Sequence, residues 1–237
     1  MTAPAVPSKP PSQTLSRGVQ ILEVLADAPG ALSVDAIATA LGVHRSIAYR
    51  LVRTLECHGL VTREASGRYV LGARLAALAS SVAHDVQAEA LPELTATANE
   101  LGMTCFLAVL DRTDCVTLTS VEPRHAVASV AQRPGTRHSV GMGAPGKAVL
   151  AQLPLSEWPD GVPAAVATQV AEGSRRGYAV SHDEVIENLH SVAVPLRLRG
   201  RAPAAVAVVY VAGGEDEARL AARLQQAAGT ITQTLDG

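Results

Sequence analysis

The sequence predicts an α+β chain: an N-terminal winged helix-turn-helix, a linker helix, and a C-terminal domain on a mostly antiparallel sheet. Three observations carry this. Three short helical patterns between residues 12 and 59 run into a hairpin with glycine in its turn. An alanine-rich helical stretch follows Arg74. From Thr104 onward, strand-like runs come in hairpin pairs with helices between them. The 237 residues suffice for one large or two modest domains. The expected division is a disordered leader over 1–11, a winged helix over 12–73, a linker helix over 74–90 and a second domain over 91–237.

In the first helix Leu15, Val19, Leu22 and Leu25 recur at helical spacing, and Pro29-Gly30 ends the run. The second begins after Ser33, a good N-cap, with Leu32 and Ile37 placed as a hydrophobic staple. Its apolar set is Val34, Ile37, Ala38 and Leu41, and Gly42 permits a sharp turn. The third runs from about His44 to Gly59, whose glycine suits the position just past a helix end. Two short helices across a tight glycine turn make a helix-turn-helix. The β-prone runs 60–63 and 68–71 around Ala65-Ser66-Gly67 add a wing.

The third helix carries the functional signal. Ile47, Ala48, Leu51, Val52 and Leu55 fall within one arc of roughly 140°. The opposite arc holds Arg45, Ser46, Tyr49, Arg50 and Arg53, with Glu56 the one acid among them. Guanidinium groups fork onto guanine or clamp phosphates, and hydroxyls bond phosphate oxygens or base edges. A basic helix face alone is often merely solvated; second in a helix-turn-helix, it points to the major groove of double-stranded DNA. His44 at the helix start, Ser33 at the start of the second helix, and Arg63 and Arg68 on the wing join the expected DNA contacts.

Composition excludes other classes. The net charge of −2 rules out a chain coated in positive charge. Residues 41–75 nevertheless hold six arginines against two acids, while the chain from 76 onward holds more acids than bases. With 3% aromatic residues and a single Phe, there are few platforms for stacking single-stranded bases. The longest apolar run, residues 204–212, is far short of the ~20 residues that cross a bilayer, so no membrane association is expected. The start, MTAPAVPSKPPSQ, lacks an apolar signal core, and three cysteines without CxxC spacing argue against a disulfide scaffold or thiolate metal site. The expected compartment is the cytoplasm.

In the second half, strands are expected over 104–110, 115–121, 191–198 and 203–211, with helices over 148–153 and 215–235 and a break near Pro92. The segment Gly141-Met-Gly-Ala-Pro-Gly-Lys-Ala148 matches both G-x-G-x-x-G and the start of a phosphate loop. Neither context is complete, because the preceding residues are polar and turn-rich, and Ala148 cannot hold Mg²⁺. What survives is a glycine-rich loop opening a helix, whose free amides favour an anion.

The run from Ser12 to Gly72, with its Ser-Arg-Gly-Val-x-Ile-Leu opening and its hairpin closing on Leu71-Gly72, resembles the N-terminal domain of the IclR family of bacterial transcriptional regulators. Gly146-Lys147-Ala148-Val149-Leu150-Ala151, Arg176-Gly177-Tyr178, the acidic pair Asp183-Glu184 and Ser191-Val192-Ala193-Val194-Pro195 resemble that family's effector domain, in order. The resemblance implies a GAF-like second domain binding a small, often carboxylate-bearing metabolite. Carried over residue by residue, the contacts would be Met142, Gly143, Ala144 and Pro145 before the lysine, Ser181 and Asp183 after the Arg-Gly-Tyr motif, and Ser191 on the later strand. Val127, Val130 and Leu189 would form apolar walls. Three positions depart from the pattern: Pro145 has no N–H, Ser181 stands where Asp can occur, and Asn188 replaces a common glycine.

The expected function is a metabolite-responsive, DNA-binding regulator, more often a repressor in that family. It would act as a dimer or dimer of dimers on a two-part operator, with no catalytic residue, metal or cofactor. The alternative is an enzyme fused to a winged helix, using Lys147 or the Asp183/Glu184 pair. Four histidines, His125, His138, His182 and His190, lack metal-ligand spacing and read as ordinary surface or core residues.

Overall fold

The computed structural model describes residues 12–79, 84–125 and 130–236. The expected leader and Val127 lie outside the described residues. The chain packs as two compact units divided between residues 83 and 84.

The first unit holds α1 (Gln13–Asp27), α2 (Val34–Leu41), α3 (Arg45–Cys57), β1 (Val61–Arg63), β2 (Tyr69–Leu71) and α4 (Arg74–Ala79). Caps set the helix starts: Ser12 accepts from the Leu15 amide, Ser33 from the Ala36 amide and His44 from the Ser46 amide. The α3 exit is a paired left-handed turn, in which Gly59 N–H donates to Glu56 and Leu60 N–H to Leu55. Ile21, Leu25, Ile37, Ala38, Ala48, Val52, Val61 and Tyr69 form the core. On α1 the buried stripe is Gly18, Ile21 and Leu25, whereas Leu15 is 69% and Val19 47% exposed. The expected Leu15/Val19 face was therefore displaced around the helix: Gly18, small enough to seat α1 near Leu55, carried no hydrophobic signal. Leu32 exchanges two backbone hydrogen bonds with Tyr69, of 3.0 and 2.8 Å, adding a bridge to the wing.

The second unit holds α5 (His84–Leu101), β3 (Thr104–Asp111), β4 (Asp114–Val121), β5 (Arg137–Ser139), α6 (Gly143–Leu150), α7 (Val166–Arg176), β6 (Ala179–His182), β7 (Leu189–Leu196), β8 (Ala204–Val211) and α8 (Glu217–Asp236). Its six strands pair antiparallel throughout, in the order β5-β4-β3-β8-β7-β6. Alternate β8 residues Ala205, Ala207 and Val209 join α6 in one core cluster, while Ala204, Val206, Val208 and Tyr210 are also buried. The sheet is thus covered on both faces, which explains why β8 shows an unbroken apolar run instead of alternation. α8 packs against α5 and β7, and Arg223 ties it to Glu93 at 2.8 Å and Glu100 at 2.6 Å.

Two expectations change here. Residues 84–90, expected in a linker helix, begin α5, which continues through Pro92 to Leu101. Burial of Val86, Ala90, Leu94 and Ala98 outweighs the one hydrogen bond that proline removes. The expected 148–153 helix starts instead at Gly143, and all eight residues of α6 are buried. Pro145 lies in the first turn, where its missing N–H is not needed, and a Cβ on Gly146 would lie 2.2 Å from the Val140 carbonyl oxygen. Gly146, which read as loop, is there to let the helix approach backbone.

Candidate functional site

On α3, His44, Arg45, Ser46, Tyr49, Arg50 and Arg53 are all exposed, and Ala48 and Val52 are buried on the opposite side. The arc read from the sequence is therefore a solvent face. Arg45 pairs with Asp35 at 2.7 Å and Arg53 with Glu56 at 2.7 Å. Exposed pairs of this kind yield readily to a phosphate or a guanine edge, because solvent already screens them. Arg50 has no side-chain partner among the described residues. It shares a groove with Thr14, Arg17, Ile47, Leu51 and Thr54. Arg17, absent from the expected set, thus brings a second guanidinium to the edge of this face; its signal was the basic position in the first turns of α1.

The other expected contacts are held more locally. His44 Nδ1 lies 2.9 Å from Ser46 Oγ at the helix start. Ser33 spends its oxygen on capping α2, leaving its hydroxyl proton to donate. On the wing, Arg63 reaches the Gly67 carbonyl at 3.5 Å and lies over the Tyr69 ring, and Arg68 reaches the Ala31 carbonyl at 3.4 Å. Both hydrogen bonds are long, so both guanidiniums are loosely held.

In the second unit a cleft of about 80 Å³, partly open to solvent, lies between β7, α6 and the loop after β6. Of the expected effector contacts, Gly143, Pro145, Ser181, Leu189 and Ser191 line it. Four others do not. Ala144 is fully buried in the core, and Met142 is the exposed N-cap of α6. Val130 packs on the core, with its carbonyl accepting from Thr104 at 2.7 Å. Asp183 closes the neck of the loop, accepting from the Asn188 amide at 2.7 Å. Sequence reading missed Phe106, Gln132, Thr136, His138, Val185, Ile186, His190 and Val209. Strand register holds part of that signal, since Ser191 faces Val209 across β7 and β8. The loop residues gave none.

Ser191 donates its hydroxyl to the Val208 carbonyl at 2.8 Å, so it offers the cleft an acceptor. His138 donates from Nδ1 to the Ser139 carbonyl at 3.0 Å, which leaves Nε2 as its free nitrogen near Gly143. His138 and His190, expected as ordinary residues, are thus the titratable groups lining the cleft; among the described residues no cluster could hold a metal ion. Lys147, only 3% exposed, does not point into open space. Its ammonium donates to Glu184 Oε1 and to the Val180 carbonyl at 3.3 Å, while Glu184 Oε2 accepts from the Gly143 amide at 2.9 Å. The candidate catalytic lysine and acid of the alternative reading therefore neutralise each other, and the amide expected to hold a ligand anion already holds Glu184.

Residues 14–65 match the IclR helix-turn-helix domain. A probable transcriptional regulator, SauR, of Cupriavidus necator is 32% identical across 211 residues, covering 81% of this chain and 83% of that one. This chain belongs to the IclR family. The transcriptional repressor IclR of Escherichia coli is 31% identical over 63% of this chain and 57% of its own. A crystal structure of an IclR homologue from Microbacterium hydrocarbonoxydans, complexed with 4-hydroxybenzoate, superposes with a TM-score of 0.79 at 26% identity, covering 94% of this chain and 99% of that one. As an IclR-family protein the chain is a DNA-binding transcriptional regulator, and the relatives it matches are regulators, not enzymes. Among its described residues no helix is long and apolar enough to cross a membrane.

Proposed function

We propose that this IclR-family regulator is a cytoplasmic repressor whose grip on a two-part operator is modulated by a small carboxylate-bearing metabolite. The observation that carries the DNA half is the exposed α3 arc, with Arg50 unpartnered among the described residues and Arg45 and Arg53 in exchangeable pairs. In this reading α3 enters the major groove, Arg45 and Arg50 face base edges or phosphates, and Arg63 and Arg68 on the wing meet the flanking backbone. The second unit supports the effector half with a cleft of apolar walls and convergent polar groups. The homologue bearing 4-hydroxybenzoate supports a carboxylate as ligand class, and the E. coli relative's name supports repression.

A single winged helix spans few base pairs, so selective binding calls for two copies on related half-sites. Exposed Leu15 and Val19 on α1 and Leu78 on α4 offer apolar surface for self-association as a dimer or dimer of dimers. Effector binding acts by shifting the balance between arrangements of the two DNA modules, which requires different affinity for each arrangement.

Selection from random DNA duplexes tests this, followed by titration of the selected duplex against small carboxylates. The expected result is a two-part sequence motif whose binding weakens as a carboxylate is added. Recovery of duplexes without a shared motif would overturn the DNA half; a selected duplex indifferent to every carboxylate would overturn the effector half.

A further inference from the structure

The loop between β6 and β7 is a closed strap. Asp183 and Asn188, at its two ends, adopt left-handed conformations with φ of 58° and 63°. Its neck is tied by the Asp183 amide to the Leu189 carbonyl at 3.1 Å and by the Asn188 amide to Asp183 Oδ1. Between the ends lie Glu184, Val185, Ile186 and the exposed Glu187. Val185 and Ile186 line the cleft yet stay about half exposed, at 47% and 57%. Beneath the strap, Glu184 sits on the first amide of α6 and on the buried Lys147 ammonium.

A second feature points to a ligand at the same place. Ser181 lines the cleft and is 6% exposed, and its hydroxyl makes no side-chain hydrogen bond among the described residues, facing cleft solvent instead. A hydroxyl that is nine-tenths enclosed and paired only with cleft solvent is free to donate to an incoming acceptor. The cleft lining contains no Lys or Arg among the described residues. The fixed cation within reach is Lys147, which must keep an anion, because a buried ammonium left alone is strongly unfavourable.

We infer that Glu184 is a resident competitor for the effector's carboxylate. On binding, the ligand carboxylate accepts from the Gly143 amide and pairs with Lys147 in place of Glu184, and the Ser181 hydroxyl donates to it. The exchange conserves charge: one carboxylate leaves the buried cation as another arrives, and Glu184, already partly exposed, moves into water. The strap pivots at Asp183 and Asn188, and the ligand's apolar body packs on Phe106, Leu189 and Val209. The cleft therefore selects monocarboxylates with an apolar tail, and strap position becomes the signal of occupancy. This rests on the carboxylate-effector reading above and adds the group that the effector displaces.

The test is calorimetric titration of the full-length chain with propionate, hexanoate and benzoate, each beside its uncharged amide. With Glu184→Gln the competitor loses its charge, so carboxylate affinity rises roughly tenfold while the amides gain nothing. Glu184→Asp keeps the charge but is too short to span Gly143 and Lys147 together, and gains about threefold as the milder variant. The strap is followed separately by the Gly143 amide nitrogen resonance, which moves on adding benzoate to the unmodified protein. Equal or weaker carboxylate binding in both variants overturns the exchange while leaving the effector reading intact. Absence of carboxylate binding in the unmodified protein and in both variants overturns the effector reading, and the exchange with it.

Discussion

The DNA-facing surface and the ligand cleft differ in how they are assembled. The first is one arc of one helix, with its residues within ten positions of each other and exposed. The second is gathered from β3, the segment before β5, α6, β6, the strap, β7 and β8, over more than a hundred positions. A surface carried by one helix can be read from helical period alone, because the period sets the direction of every side chain. A cleft depends on which strands lie side by side, and no local pattern specifies that. The two also differ in charge management: α3 leaves its cations in water, whereas beside the cleft, outside its lining, Lys147 is buried and paired with Glu184.

The strongest test of this contrast uses one glycine in each unit. A Cβ on Gly72 would lie 2.1 Å from the Gly59 carbonyl oxygen, and one on Gly146 would lie 2.2 Å from that of Val140. Gly72→Ala and Gly146→Ala are each expected to cost about 3 kcal/mol or more, since backbone must shift to admit the methyl group. If the units are independent, each variant lowers only its own melting transition in scanning calorimetry. A joint shift of both transitions would break the comparison.

Alkaline pH should sharpen it. Burial pushes the Cys105 and Cys115 thiols up to about 12 from 9.0, and the Tyr210 phenol up to about 12 from 10.0. Above pH about 9 the unfolded thiols ionise while the folded ones stay neutral, so the folded state binds more protons. Stability of the second unit then falls as pH rises from about 9 to about 12, with a slope approaching 1.4 kcal/mol per pH unit for each thiol. The first unit's Cys57 is exposed. Thermal melts at pH 7.5, 9 and 10.5 check this; a second-unit transition unmoved at pH 10.5 would contradict the burial of these thiols.

Smaller effects belong to the DNA face. Arg45→Ala should lose about 1–3 kcal/mol of discrimination between the selected duplex and one altered at the contacted base. Arg17→Ala should weaken both duplexes alike, about threefold, and flatten the salt dependence by roughly one counterion. Fluorescence anisotropy at two salt concentrations separates them. Equal loss on both duplexes for Arg45→Ala would move it from reading bases to holding phosphate.

The fold was legible where short-range chemistry fixes it. Ser33 and His44 cap helices, Gly42 and Gly59 take left-handed turns, and the Ala65-Ser66-Gly67 hairpin forms. It was misread where a small residue serves a distant neighbour. Gly18 seats α1 near α3, and Gly146 looks like part of a loop until the Val140 backbone appears beside it. For the cleft, Ser181, Leu189 and Ser191 followed from the family resemblance. His138, Val185 and Ile186 did not, because strand pairing and strap closure place them there. Glu184 was visible as an acid near a lysine in no local window, being 37 positions away from Lys147.

The bridge between Leu32 and Tyr69 has a mechanical consequence. Two backbone hydrogen bonds splice the segment ahead of α2 onto the wing, and Leu32 and Tyr69 also pack in the core beneath α3. A twist applied at the hairpin tip is therefore delivered to the base of the helix-turn-helix instead of being absorbed by a pliant loop. Wing and recognition helix behave as the two jaws of one caliper at fixed opening. A duplex whose groove width does not suit that opening must deform to be gripped, so operator positions beneath the wing contribute through the stiffness of the DNA as well as through contact.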